Sequence, residues 1–323
     1  MKLFKKLTAA LLSLALLGSA APAAAEGVYS PRAGAGAVSG SIPVALVVVG
    51  FDGGSFGGVP TPYRDDYDWA GMVFNSEDGI SAYYASQSFG SFTFLPARER
   101  SAYGVSGNTN PADRADDGVV HVTLRQRHVS LSPAAGFMGE DFVADAALQE
   151  ALDAAAEQLD FSGYDADGSG TLDASELAVV FVLAGFDSSN ELLDLFPAEQ
   201  YPGWWPISME RASLRAGGVE LTRYCAISEQ ELALAYDTPL VYTVYGDAPV
   251  EGTGTELYDA LFELSDPAEA LRVLDYDPSG IRPGSVATIC HELSHYLGTD
   301  DYYDTAYTAD DLPELPWNYY TPA

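Results

Sequence analysis

Between Pro43 and Gly50 the chain reads Val44-Ala45-Leu46-Val47-Val48-Val49, apolar without interruption and mostly β-branched. Successive side chains of a strand point to opposite faces, so such a run is apolar on both. It predicts a strand buried on both sides, the hallmark of sheets covered by further layers. Leu177 to Leu183 is a second run of the same kind. Mixed along the chain with the helical segments below, these strands imply one α/β (α+β) domain.

The remaining pattern supplies the other layers. From Asp141 to Leu159, Leu148, Leu152, Ala155 and Leu159 share one helical face, with Glu150, Asp153 and Glu157 off it. Residues 79–89 are helix-compatible, Ser91 to Leu95 and Val119 to Leu124 read as strands, and Val219 to Ile227 alternates as one. Residues 96–140 are otherwise rich in turn formers. Leu257 to Leu264 has helical spacing, and helix signals run again from near Ser285 to Gly298. The rest of 230–284 has no clear pattern, and no internal repeat is present.

The first 25 residues read as a secretory signal peptide: Lys2, Lys5 and Lys6, then an apolar run from Leu7 to Leu17, then Ala23-Ala24-Ala25. That run is short for a membrane span. Residues 26–42 form a Gly- and Ala-rich lead-in, and 43–323 are expected to be one catalytic domain. Localisation is therefore expected to be extracellular. The formal charge of −32 becomes −35 without the three signal lysines, and every remaining basic residue apart from histidine is an arginine. This excludes nucleic acid and anionic membrane as partners, since both need a positive surface. Cys225 and Cys290 are too few for a disulfide scaffold; they are either one bridge, which export permits, or buried thiols.

The chemistry concentrates at His291-Glu292-Leu293-Ser294-His295. On a helix, positions i and i+4 share a face, so both imidazoles can reach one zinc ion. Glu292 lies beside that ion rather than on it, which suits a base acting on water. Gly298 can stop the helix, and Asp301 can then return as third ligand, leaving a fourth position open. His121 and His128 have no such neighbours and read as ordinary surface or strand residues.

A second pattern runs from Asp165 to Glu176. Asp165, Asp167, Ser169, Asp173 and Glu176 supply oxygens at positions 1, 3, 5, 9 and 12 of a twelve-residue calcium loop. Thr171 offers its backbone carbonyl at position 7, and Gly170 takes the turn at position 6. A helix precedes the loop but a strand follows. This predicts a structural calcium stapling helix to strand, not a paired sensor.

With these residues placed, the chain resembles the immune inhibitor A family of secreted bacterial metallopeptidases, a metzincin-like group. The likeness covers most of residues 43–307. The zinc segment looks like His291 to Asp301 continued by Tyr302-Tyr303-Asp304-Thr305. Tyr83-Tyr84-Ala-Ser-Gln87-Ser88-Phe89-Gly90-Ser-Phe92 is similar to the family's helix-to-strand segment. Asp160-Phe161-Ser162 with Tyr164-Asp165, then Ala184-Gly185-Phe186 and Trp205-Pro206, follow in family order. The resemblance implies His291, His295 and Asp301 as zinc ligands, Glu292 as base, and a twisted mixed sheet packed on two long helices. Two departures stand out. The family's methionine turn after the zinc segment is expected to be missing, since the last methionine is Met209. Residues 26–42 are also short for the family's propeptide.

These readings lead to a secreted zinc endopeptidase acting on protein or peptide substrates, with catalytic zinc and structural calcium. Tyr307 is a candidate oxyanion donor. The alternative is a binding or adhesion protein that keeps the fold and has lost turnover. A docking module of the cellulosome type would need two calcium repeats, and the sequence has one.

Overall fold

The computed structural model describes residues 39–54, 58–131, 140–189, 193, 198–210, 214–232, 239–242, 250–253 and 281–299. Residues 1–25, the helical spacing at 257–264, and Asp301 and Tyr307 lie outside the described residues. In chain order the elements are β1 (Gly40–Phe51), α1 (Ile80–Gln87), β2 (Phe92–Pro96), β3 (Val119–Leu124) and α2 (Glu140–Ala155). Then come β4 (Thr171–Leu172), β5 (Ala178–Asp187), β6 (Gly203–Trp204), β7 (Ile207–Glu210), β8 (Arg215–Ala216), β9 (Val219–Leu221) and β10 (Arg223–Leu232). The last are β11 (Pro239–Tyr242), β12 (Val250–Thr253), β13 (Ile281–Pro283) and α3 (Val286–Tyr296). β1 begins inside the stretch read as a lead-in.

The two apolar runs become the centre of an 8-stranded mixed sheet. β1 pairs parallel with β5 along Val44–Val49, and along its other edge with β2 and then β3. β10 adds parallel to the far edge of β5. The first half of β10 carries β7, and its end carries β13, both antiparallel.

Adjacent residues on β10 show how the sheet is covered. The Tyr224 hydroxyl reaches Asp145 of α2 at 3.4 Å, while the Cys225 thiol reaches the Glu292 carbonyl of α3 at 3.3 Å. Neighbours on a strand face opposite sides, so α2 and α3 lie on opposite faces of the sheet. On the α2 face, Phe181 stacks edge-on against Tyr224 at 5.6 Å. On the other face, Tyr84 of α1 packs edge-on against Phe94 at 4.8 Å.

This corrects the expectation of a sheet on two long helices. Of the three α-helices described, α2 has 16 residues, α3 has 11 and α1 has 8. The reason is in β1 and β5 themselves: Val44 to Val49 and Val179 to Val182 are fully buried, so each face needs its own cover. A second correction concerns Val219 to Ile227. It is two strands broken at Thr222, whose backbone N–H and hydroxyl both donate to the Leu172 carbonyl at 3.1 and 2.9 Å. β9 thereby joins β4 and β8 in a 3-stranded sheet, and β10 joins the large one.

All of these elements except β11 and β12 lie in one compact unit, residues 37–233 and 276–297. A second unit takes residues 1–36, 234–275 and 298–323, and its described part includes the antiparallel β11–β12 hairpin. Among the described residues no helix is long and apolar enough to cross a membrane.

Candidate metal centre

α3 is built as its sequence dictates. Ser285 caps the start, its hydroxyl accepting from Ala287 N–H at 3.1 Å, while its own N–H donates to Glu231 at 2.9 Å. Ile289, Leu293 and Tyr296 form the stripe against the sheet, all 1 % exposed or less. Past the last turn Gly298 takes φ +94, the left-handed conformation that ends a helix.

His291 and His295 stand together on the side away from the sheet. Their Nε2 atoms are 3.1 Å apart, with ring planes crossing at 89°. Two imidazoles on one tetrahedral zinc, at about 2.0–2.1 Å each, place their nitrogens about 3.3–3.4 Å apart. The observed separation is within a few tenths of an ångström of that value, and is equally a hydrogen-bond distance between the two rings. Glu292 is next along, about 100° around the helix from His291 and about 60° from His295. It is 4 % exposed, on the edge of the buried stripe, so its carboxyl is largely removed from bulk water. The third ligand expected from the sequence, Asp301, lies outside the described residues.

Three side chains missed by the sequence reading hold this helix. The Tyr84 hydroxyl donates to the Cys290 carbonyl at 2.8 Å. Arg223 donates to the Tyr296 carbonyl at 2.8 Å, and the Tyr296 hydroxyl donates to the Leu177 carbonyl at 2.6 Å. Tyr84 sits in a segment that the family likeness singled out, but nothing in the sequence gave it a role; Arg223 carries no sequence signal. Cys225 and Cys290 are free thiols rather than a bridge. Burial pushes the Cys225 thiol up, and pushes the Cys290 thiol up to about 12, so both stay protonated.

The other two histidines are not surface residues. His121, on β3, donates from Nδ1 to the Asp113 carboxylate at 3.1 Å, and both side chains are almost fully buried. His128 is fully buried, and that burial lowers its pKa to about 4, so it is neutral.

The acidic loop folds around its own oxygens. Asp165, Asp167 and Glu176 bring carboxylate oxygens within 4.8 Å of one another, the only group of three or more His, Cys, Asp or Glu ligands this close among the described residues. Asp165 accepts from Ser169 and Gly170 N–H at 2.9 Å each, and Glu176 accepts from Ala166 N–H at 2.8 Å. Gly170 takes φ +80, as the sixth position of such a loop requires. Asp173 instead turns to Ser175, accepting from its N–H at 2.7 Å. β4 then pairs with β9 rather than with a second loop of the same type.

If the loop takes calcium, calcium at about 100 times its Kd adds roughly 2.7 kcal/mol to stability, a rise in Tm on the order of 5 °C. Asp165→Ala with Asp167→Ala is expected to abolish that increment. The increment, not the absolute Tm, is the quantity to compare, because Asp165 also holds two backbone N–H groups. A calcium response equal to the parent's in the double variant would exclude the loop.

No family model matches the chain, and neither a curated protein nor a solved structure matches it. The fold and site define a mixed α/β protein with an exposed histidine pair on a pinned helix.

Proposed function

We propose that the protein is a secreted zinc endopeptidase hydrolysing peptide bonds of extracellular proteins. The observation that carries this is the 3.1 Å approach of the His291 and His295 Nε2 atoms, with Glu292 following His291. His291 and His295 would hold zinc, and Asp301 is the third ligand by sequence spacing. A zinc ion held there would supply Lewis acidity. Glu292 takes a proton from the attacking water and returns it to the leaving amine. Its low exposure keeps bulk water from competing for that carboxyl. The Asp165–Glu176 loop is proposed as a structural calcium site outside the chemistry.

The test is metal removal. The purified protein is expected to cleave casein, to lose that activity with a strong zinc chelator, and to regain it with one equivalent of zinc. A zinc-loaded protein that leaves casein intact would reject the peptidase reading and favour the binding or adhesion protein.

A further inference from the structure

Zinc affinity depends on where two imidazoles sit relative to each other, and so on how firmly their helical turn is held. In α3 two anchors from different elements grip the turn between the histidines and the turn after it. The Tyr84 hydroxyl, from α1, donates to the Cys290 carbonyl at 2.8 Å and lies 2.9 Å from Ser294 Oγ. Ser294 Oγ itself donates back to the Cys290 carbonyl at 2.8 Å. Cys290 and Ser294 are the residues immediately before His291 and His295. A serine that bonds back to its i−4 carbonyl tends to bend a helix, and Tyr84 sits at that point.

The second anchor is Arg223 of β10. It donates to the Tyr296 carbonyl at 2.8 Å and the His295 carbonyl at 3.3 Å, and its other nitrogen pairs with Glu210 of β7. The last carbonyls of a helix have no partner within it, and a cation there also complements the helix dipole. Both anchors are shielded: Tyr84 is 8 % exposed and the Arg223 side chain 21 %.

We propose that Tyr84 and Arg223 are positioning residues for the His291–His295 pair, fixing the turn that carries the two imidazoles against α1 and β10. This rests on the zinc reading. Partners outside the ligand set that orient ligands typically carry about 10–100-fold in metal affinity.

The test measures zinc affinity by competition with a chromogenic chelator, and the absorption spectrum of the cobalt-substituted protein, for the parent, Tyr84→Phe, Arg223→Met and Arg223→Lys. Tyr84→Phe keeps the ring that packs on Phe94 and removes only the hydroxyl. Tyr84→Phe and Arg223→Met are each expected to weaken zinc about 10–100-fold and to shift the cobalt spectrum. Arg223→Lys is expected to recover part of the affinity, because it keeps the charge at the carbonyls. If Arg223→Met does not fold, Tyr84→Phe decides. Parent-like zinc affinity and cobalt spectrum in the variants, with melting lowered equally with and without zinc, would mean that the anchors only support the fold, and the proposal falls while the zinc reading stands. A parent that binds no zinc would remove both.

Discussion

Glu292→Gln is expected to leave zinc content and melting close to the parent and to lower casein hydrolysis by about 10²–10⁴-fold, the range typical of general acid–base catalysis. The amide matches the carboxylate in shape, so the 4 % exposed site is filled as before. It cannot take a proton from water. Its position also separates this loss from a metal effect, since Glu292 lies around the helix from both imidazoles and holds no zinc in the proposed site. The comparison needs initial rates on casein for both proteins, with zinc content and Tm for each. Equal rates would remove Glu292 from the base role. A loss of zinc along with activity would make Glu292 a structural support for the ligands instead.

The sequence was most legible where one side chain type repeats at one period. Val44 to Val49 and Leu177 to Leu183 place themselves in the middle of the sheet because no other environment accepts apolar side chains on both faces. The same fact overrode the family expectation of two long helices: α2 and α3 cover opposite faces because both faces are apolar. The histidine pair was legible because i, i+4 spacing alone brings two imidazoles together. Thr222 was not legible as a strand break, since its cause is a carbonyl at Leu172, remote in sequence. His121 is the strand residue expected, on β3, but its partner was not legible, and neither was the burial of His128. A lone histidine carries no sign of its partner, and Asp113 and the cover over His128 come from the tertiary fold. Tyr84 and Arg223 act on backbone carbonyls, which every residue has, so no residue pattern marks them.

His295→Ala is expected to lose the bound zinc and with it the activity. The structure allows two accounts of the 3.1 Å contact, and this variant separates them. In one, both Nε2 atoms face a shared metal ion. In the other, one neutral imidazole donates a hydrogen bond to its neighbour. Losing a hydrogen bond of that kind costs about 0.5–1.5 kcal/mol and is indifferent to zinc. Losing a ligand removes the mass-action gain, which is roughly 2.7 kcal/mol when zinc stands at 100 times its Kd. Alanine is the best helix former, and Arg223 bonds the backbone carbonyl of residue 295 rather than its side chain, so α3 should persist in the variant. The measurements are zinc per molecule and the shift in Tm on adding zinc, for parent and variant. The shared-ion account requires about one zinc and a clear shift in the parent, and neither in His295→Ala. The affinity lost should be at least the 10–100-fold expected for a residue outside the ligand set, because a ligand itself is gone. If the parent shows no zinc-dependent shift and the variant melts only slightly lower, the two histidines are a hydrogen-bonded pair on a surface helix, and the chemistry of this protein lies elsewhere.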